Sequence, residues 1–302
     1  MRAPIVLAIA LLALAAAPLA LKNYGIYLLT LWCVYVMAGM GLNLTVGYAG
    51  QMSIGHAAFL GIGAYTAAIL MKLGLSFWFV LPIAALLCFF VGLVLGFPAL
   101  RVQHHYLAFA TLGFNVLMSL FFRNEEWLTG GTFGISGIAR PRLFDGSGAY
   151  FYFTYASTVV LALLLVWLIR SPWGRAFAAL RDNPIRAESL GVNIVAYTLL
   201  AFAIGAAFAG IAGAYFAALV QFIEPAPFSL TSSLMMLLMV IVGGSGRFFG
   251  PMLGAAIVIL LPEWLRFMQD WYLVVFGLAV VVLMIWLPGG LLSIPARLRR
   301  AA

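Results

Sequence analysis

Residues 195–222 read VAYTLLAFAIGAAFAGIAGAYFAALVQF, 28 positions without one Asp, Glu, Lys or Arg. A helix needs about 20 such residues to cross a bilayer, so this stretch is long enough to span with residues to spare. Working outward, the rest of the 302-residue chain repeats the pattern: 66% of residues are hydrophobic and only 8% charged. Mean hydropathy is +1.14. No single core can hide that much apolar surface, so the solvent of this chain is lipid. A soluble enzyme, a disordered scaffold and a disulfide framework are excluded. Cys33 and Cys88 both lie inside apolar runs and read as small buried hydrophobes.

Cutting the chain at charges and turn residues predicts about ten spans, near 5–21, 26–46, 52–71, 77–99, 105–122, 152–169, 195–222, 229–245, 251–265 and 271–288. Continuous apolar runs exclude a β-barrel, whose strands alternate. The fold expected is an all-α integral membrane protein, a polytopic bundle of about ten transmembrane helices forming one domain over 1–302. The first run has a second reading. Arg2, the apolar 5–17 and Ala15, Ala16 and Ala17 also match a secretory signal, which would leave nine spans; retention is the expectation here.

Loop charge orients the bundle. With 170–194 taken as cytoplasmic, Arg2, Arg101, Arg170, Arg175, Arg181, Arg186, Arg247, Arg297, Arg299 and Arg300 fall inside, beside Asp182 and Glu188. Outside lie Lys22, Lys72, Arg123, Arg140, Arg142 and Arg266, balanced by Glu125, Glu126, Asp145, Glu224, Glu263 and Asp270. The whole net charge of +8 thus sits on one face, as the positive-inside rule requires, and both termini are expected in the cytoplasm. The charge is scattered, so it reads as topology and not as a nucleic-acid footprint. Trp127, Trp264 and Trp271 fall near outer span ends.

Inside the spans, charges are missing and small residues are dense. Ala206, Gly210 and Ala214 share a helix face, as do Ala209, Gly213 and Ala217, and Gly246, Gly250 and Gly254 recur at the same spacing. Such faces serve internal packing or a subunit interface. The stretch 43–63 concentrates Asn43, Thr45, Gly47, Gly50, Gln51, Ser53, Gly55, His56, Gly61 and Gly63. Glycine costs a helix up to ~1 kcal/mol per position, so a broken or re-entrant segment is predicted there. Two readings stay open: the lining of a substrate route, or a polar packing seam. His56 alone reads as a hydrogen-bonded helix contact, and adjacent His104 and His105 point about 100° apart, a poor metal pair. The two lysines, Lys22 and Lys72, form no phosphate-binding loop. No catalytic residue, metal or cofactor is assigned.

Segment 171–193 is polar and patterned. Ser171-Pro172 and Asn183-Pro184 each read as a cap followed by proline at the first helical position, and Gly191 as a stop. Trp173, Phe177 and Leu180 recur on one apolar face, with Arg175, Arg181 and Asp182 off it. Two short helices lying across the membrane surface are predicted, either as an interfacial anchor or as a docking element.

The run Gly41–His56, GLNLTVGYAGQMSIGH, resembles the signature of permeases in bacterial ABC importers for branched-chain amino acids. Tyr106–Leu112, Thr129–Thr132, the segments Gly174–Asn183 and Ala187–Asn193, and Val242–Gly246 with Gly250-Pro251 resemble further blocks, in order along the chain and closest to the LivM-type subunit. Pro184, Phe133 and His104-His105 depart from the usual pattern. The resemblance implies a transport subunit of the bacterial inner membrane, itself no enzyme. Its implied partners are a related second permease in a heterodimer, two cytoplasmic ABC ATPase subunits and a periplasmic substrate-binding protein. The implied cargo is leucine, isoleucine or valine, with other amino acids, urea-like amides or sugars as alternatives. A stand-alone secondary carrier and an intramembrane hydrolase are the rivals from other classes. On this reading Asn43, Gln51, Ser53 and His56 line the route, with Thr129 and Thr132 at its outer mouth. Segment 171–193 is then the coupling loop. Trp173, Phe177 and Leu180 enter an ATPase groove or lie in lipid headgroups, while Arg175, Arg181, Asp182, Arg186 and Glu188 supply charged contacts.

Overall fold

A computed structural model describes residues 14–99 and 104–261, together with 263, 277–278, 281–282, 285–286 and 289–293. Helix α1 (14–20) turns at 21–22 into α2 (Asn23–Leu42), which runs on as a π-helical turn, Asn43–Tyr48. After a non-helical stretch come α3 (His56–Lys72), α4 (Phe77–Ala99), α5 (His104–Asn124) and the single turn α6 (Glu126–Thr129). The chain continues through α7 (Ser147–Arg170), α8 (Pro172–Asp182), α9 (Pro184–Ser189), α10 (Ile194–Val220), α11 (Leu230–Gly243) and α12 (Gly250–Ala255). The described fold is all but wholly helical. Its one sheet joins β1 (Ile135–Ser136) antiparallel to β2 (Phe222–Ile223).

Five helical stretches are long and apolar enough to cross a membrane: Asn23–Tyr48, Phe77–Phe97, Leu107–Asn124, Ser147–Arg170 and Ile194–Val220. Three apolar helices, His56–Lys72, Leu230–Gly243 and Gly250–Leu260, are shorter. The described residues therefore do not reach the ten spans expected. The expected spans 5–21 and 271–288 lie largely outside them, as do both termini, Trp264 and Trp271.

Helix α10 is the hub, packed against α2, α3 and α4. Its small residues permit this. A Cβ on Gly63 of α3 would sit 2.6 Å from the Cα of Gly210, and one on Gly210 would sit 2.7 Å from the carbonyl oxygen of Ala84 on α4. Backbones can approach so closely only where side chains are missing. The faces Ala206–Gly210–Ala214 and Ala209–Gly213–Ala217 are consequently buried within the chain, which assigns them to internal packing. The third proposed face is corrected. Gly246 lies in a turn at φ 73°, outside any helix, so it shares no helix face with Gly250 and Gly254.

The bundle has two ends. At one, α8, the π turn with Gly50 and the 244–249 turn meet, and α9 packs on α8. At the other lie α6, the β1–β2 pair and the starts of α2 and α7, where the Ser147 hydroxyl bonds Asn23 across 3.3 Å. Helix α2 with its π turn covers 26 residues. At 1.5 Å per residue that is about 39 Å, enough to cross the hydrocarbon completely. The predicted break is therefore real: it runs from Gly50, against Arg181 of α8, back to His56, whose ring bonds Ala38, ten residues before the π turn ends at Tyr48. At 17 residues α3 is only about 26 Å long, so it does not reach the α8 end, and the non-helical 49–55 stretch makes up the difference.

Candidate functional site

The π turn begins at Asn43, whose side chain is fully buried. Its amide nitrogen donates to the carbonyl of Arg247 (2.9 Å), and its amide oxygen accepts from the backbone N–H of Gly246 (2.8 Å). One side chain thus satisfies both edges of a turn 203 residues away. Gly47 packs directly on Gly246; a Cβ on Gly47 would collide with the Gly246 nitrogen and with the Asn43 amide oxygen. Beyond the turn the N–H of Ala49 bonds Leu44 and that of Gln51 bonds Thr45. The chain then leaves the helix at Gly50, whose φ of 71° suits glycine. Arg181, from the last turn of α8, reaches into this junction and donates to the carbonyl of Gly47.

The start of α3 is held by groups from two other helices. The N–H of Ile54 donates to the Thr111 hydroxyl on α5 (3.0 Å), and the N–H of Ala57 to the Ser233 hydroxyl on α11 (2.9 Å). Asn115, one turn beyond Thr111, donates its amide to the same Ser233 oxygen (3.2 Å). Two buried oxygens in this region carry no hydrogen bond, Ser53 Oγ and Asn115 Oδ1. Buried polar atoms are normally satisfied, because an orphan costs roughly 1–3 kcal/mol. Thr111, Asn115 and Ser233 did not enter the sequence-based site. The available signal was the i, i+4 pair Thr111 and Asn115 in an otherwise apolar helix.

The six proposed pathway residues divide. Asn43, Gln51, Ser53 and His56 are all buried along the π turn, the break and the start of α3. Asn43 is spent on the 246–247 backbone. His56 is spent on its own fold: its Nε2 lies 3.0 Å from the carbonyl oxygen of Ala38, and its ring meets Phe59 edge-on. Gln51 has a long 3.4 Å bond to its neighbour Ala49. At the α6 end of the bundle Thr129 is buried and donates to the carbonyls of Phe122 and Glu125, closing the turn after α5, while Thr132 is exposed.

The 171–193 helix pair forms as its caps require. The Ser171 hydroxyl accepts from the N–H of Trp173 (3.2 Å) and the Asn183 side chain from that of Arg186 (3.0 Å). Gly191 supplies the positive φ, 84°, that follows α9. Two of the three residues on the apolar face of α8 are covered by this chain. Phe177 and Leu180 are buried in this chain, Phe177 against Tyr197 of α10, because the short loop folds the helix back onto the bundle that it leaves. Trp173 stays 44% exposed, and Arg175, Arg181, Asp182, Arg186 and Glu188 are exposed. What the pair presents outward is therefore charge together with the exposed apolar side chains of Trp173, Ile185 and Leu190. Among the described residues, no three His, Cys, Asp or Glu side chains are grouped to hold a metal ion.

Comparison with known proteins agrees with this architecture. The chain is 38% identical to the high-affinity branched-chain amino acid transport system permease protein LivM of Escherichia coli K12, over 94% of this chain and 74% of the relative. It is 36% identical to LivM of Salmonella typhimurium, over 94% and 73%. The autoinducer 2 import system permease protein LsrC of Salmonella paratyphi B is 29% identical, over 82% and 74%. No solved structure matches. The family described as "Branched-chain amino acid transport system / permease component" matches residues 24–285, and the chain belongs to that family of membrane permeases.

Proposed function

We propose that this chain is the LivM-type permease subunit of an ATP-driven importer that moves leucine, isoleucine and valine across the bacterial inner membrane. The observation that carries the reading is the join between family membership and the α8–α9 pair: a capped, charge-bearing helix pair clamped onto a permease bundle. A related second permease completes the membrane unit, two cytoplasmic ABC ATPases supply the energy, and a periplasmic binding protein delivers cargo. Segment 171–193 faces the cytoplasm and docks the ATPases through Trp173, Arg175, Asp182, Arg186 and Glu188. Both termini are cytoplasmic, and the full chain makes about ten spans.

Cargo passes the α3 start. Gln51 and Ser53, joined by Asn115, offer uncharged hydrogen-bonding groups, and uncharged groups suit a zwitterion that must be let go. The unsatisfied oxygens of Ser53 and Asn115 support this reading, since a transient polar guest gives them partners. Likeness to LsrC, an import permease for a different cargo by its name, supports a second reading in which sugars or other small polar solutes are carried. Uptake by the reconstituted complex, with labelled leucine, isoleucine, valine, other amino acids, urea and ribose, decides between them. Branched-chain amino acids should be taken up at least tenfold faster than the rest (~1.4 kcal/mol of discrimination). Preference for a sugar or an amide replaces the proposal.

A further inference from the structure

We propose that Arg181 is a positioning residue that transmits movement of α8 to the helix break at the start of the cargo route. The inference rests on the transport reading above and gives that reading a joint. Three segments remote in sequence meet at one node: the π turn, the end of α8 and the 244–249 turn. Arg181 donates to the Gly47 carbonyl from one side, and Asn43 holds Gly246 and Arg247 from the other. The node is built without bulk. A Cβ on Gly246 would collide with the Arg181 guanidinium, and one on Gly50 would sit 3.2 Å from the Arg181 Cα. At Gly50 no side chain separates the break from the α8 backbone, so displacement of α8 is felt there.

The Gly47 carbonyl is available to Arg181 because the chain leaves the helix at Gly50, before the next turn could supply an N–H. A π turn also has a second hydrogen-bond register close by, since its i→i+5 bonds can revert to i→i+4. That makes it a two-state element. With Arg181 in place the π register is held; withdrawal of the guanidinium lets the turn tighten and re-aims the non-helical 49–55 stretch, which carries Gln51 and Ser53. The far side of α8 bears the exposed charges proposed for docking. One helix thus carries a docking edge and a transmitting edge, and Arg181 belongs to the second.

The test compares wild type, Arg181→Ala, Arg181→Lys and Gly246→Ala in vesicles holding the full complex with its ATPases and binding protein. Arg181→Ala should keep the ATPases and keep binding-protein-stimulated hydrolysis, while cargo moved per ATP falls about tenfold. Arg181→Lys restores a donor and should recover part of the ratio, and Gly246→Ala, which displaces the guanidinium, should lower it. Unchanged transport per ATP in Arg181→Ala overturns the proposal, and so does loss of the ATPases from this variant, which makes Arg181 a docking residue. A readout without cargo separates this failure from failure of the transport reading: a cysteine at Ser53 should label with a small maleimide at least severalfold faster in Arg181→Ala, and equal labelling rates also overturn the joint.

Discussion

The rings of Phe177 and Tyr197 meet edge-on, centroids 6.3 Å apart and planes at 73°. This pair clamps α8 onto the first turns of α10, and Phe177 is completely buried. Phe177→Ala should therefore destabilise the permease itself, by roughly 3 kcal/mol as buried phenylalanine truncations do. Thermal unfolding of the detergent-purified chain, followed by fluorescence-detected gel filtration, measures this. An unchanged midpoint with lost ATPase binding would instead place the ring in a partner groove.

Docking should respond to charge. Arg175, Arg186 and Glu188 are exposed on the helix pair. Arg175→Glu with Arg186→Glu should weaken ATPase co-purification about tenfold, more at low salt than at high, because rim charges act through screened electrostatics. Retention of the ATPases at wild-type level across salt concentrations would remove the pair from the interface.

Orientation can be read chemically. Cys33 and Cys88 are buried, so new surface cysteines report cleanly once both are replaced. Asp145 and Ser189 lie at opposite ends of the bundle and are both exposed. An impermeant maleimide added to intact cells with a permeabilised outer membrane should label Asp145→Cys and spare Ser189→Cys. The reverse pattern inverts the proposed topology and moves the α8–α9 pair away from any cytoplasmic ATPase.

The α3 start should matter to uptake more than to folding. Ser53→Ala and Gln51→Ala each remove a group that gives little to the fold: Ser53 Oγ has no partner, and Gln51 has one long bond. Each should lower uptake about fivefold, the worth of one net hydrogen bond near 1 kcal/mol, with the complex still assembled. Normal uptake in both variants leaves the region as a packing seam.

Helix crossing at α10 predicts a purely structural failure. A leucine at Gly63 would have to enter the Gly210 backbone. Gly63→Leu should abolish accumulation of the chain in the membrane, measured by immunoblot, whereas Gly148→Leu, where nothing lies within 4 Å of an added Cβ, should be tolerated.

Composition and periodicity alone determined the solvent, the helical class and the approximate position of the long apolar helices, though not the short α6 or the start of α7 at Ser147, because an apolar run in lipid has no alternative to satisfying its backbone internally. The same local logic placed a break within 43–63 and the caps at Ser171 and Asn183, since proline and glycine act on the residues beside them. Only the tertiary structure decided what those features face. Amphipathicity marked Phe177 and Leu180 as one face but not whether a partner, lipid or α10 covers it; the turn at Ser171 folds that face inward. The glycines at 47 and 246 are 199 positions apart, and no period relates them. They share a node because Asn43 and Arg181 both need close approach to backbone there, a requirement that exists only once three distant segments have come together.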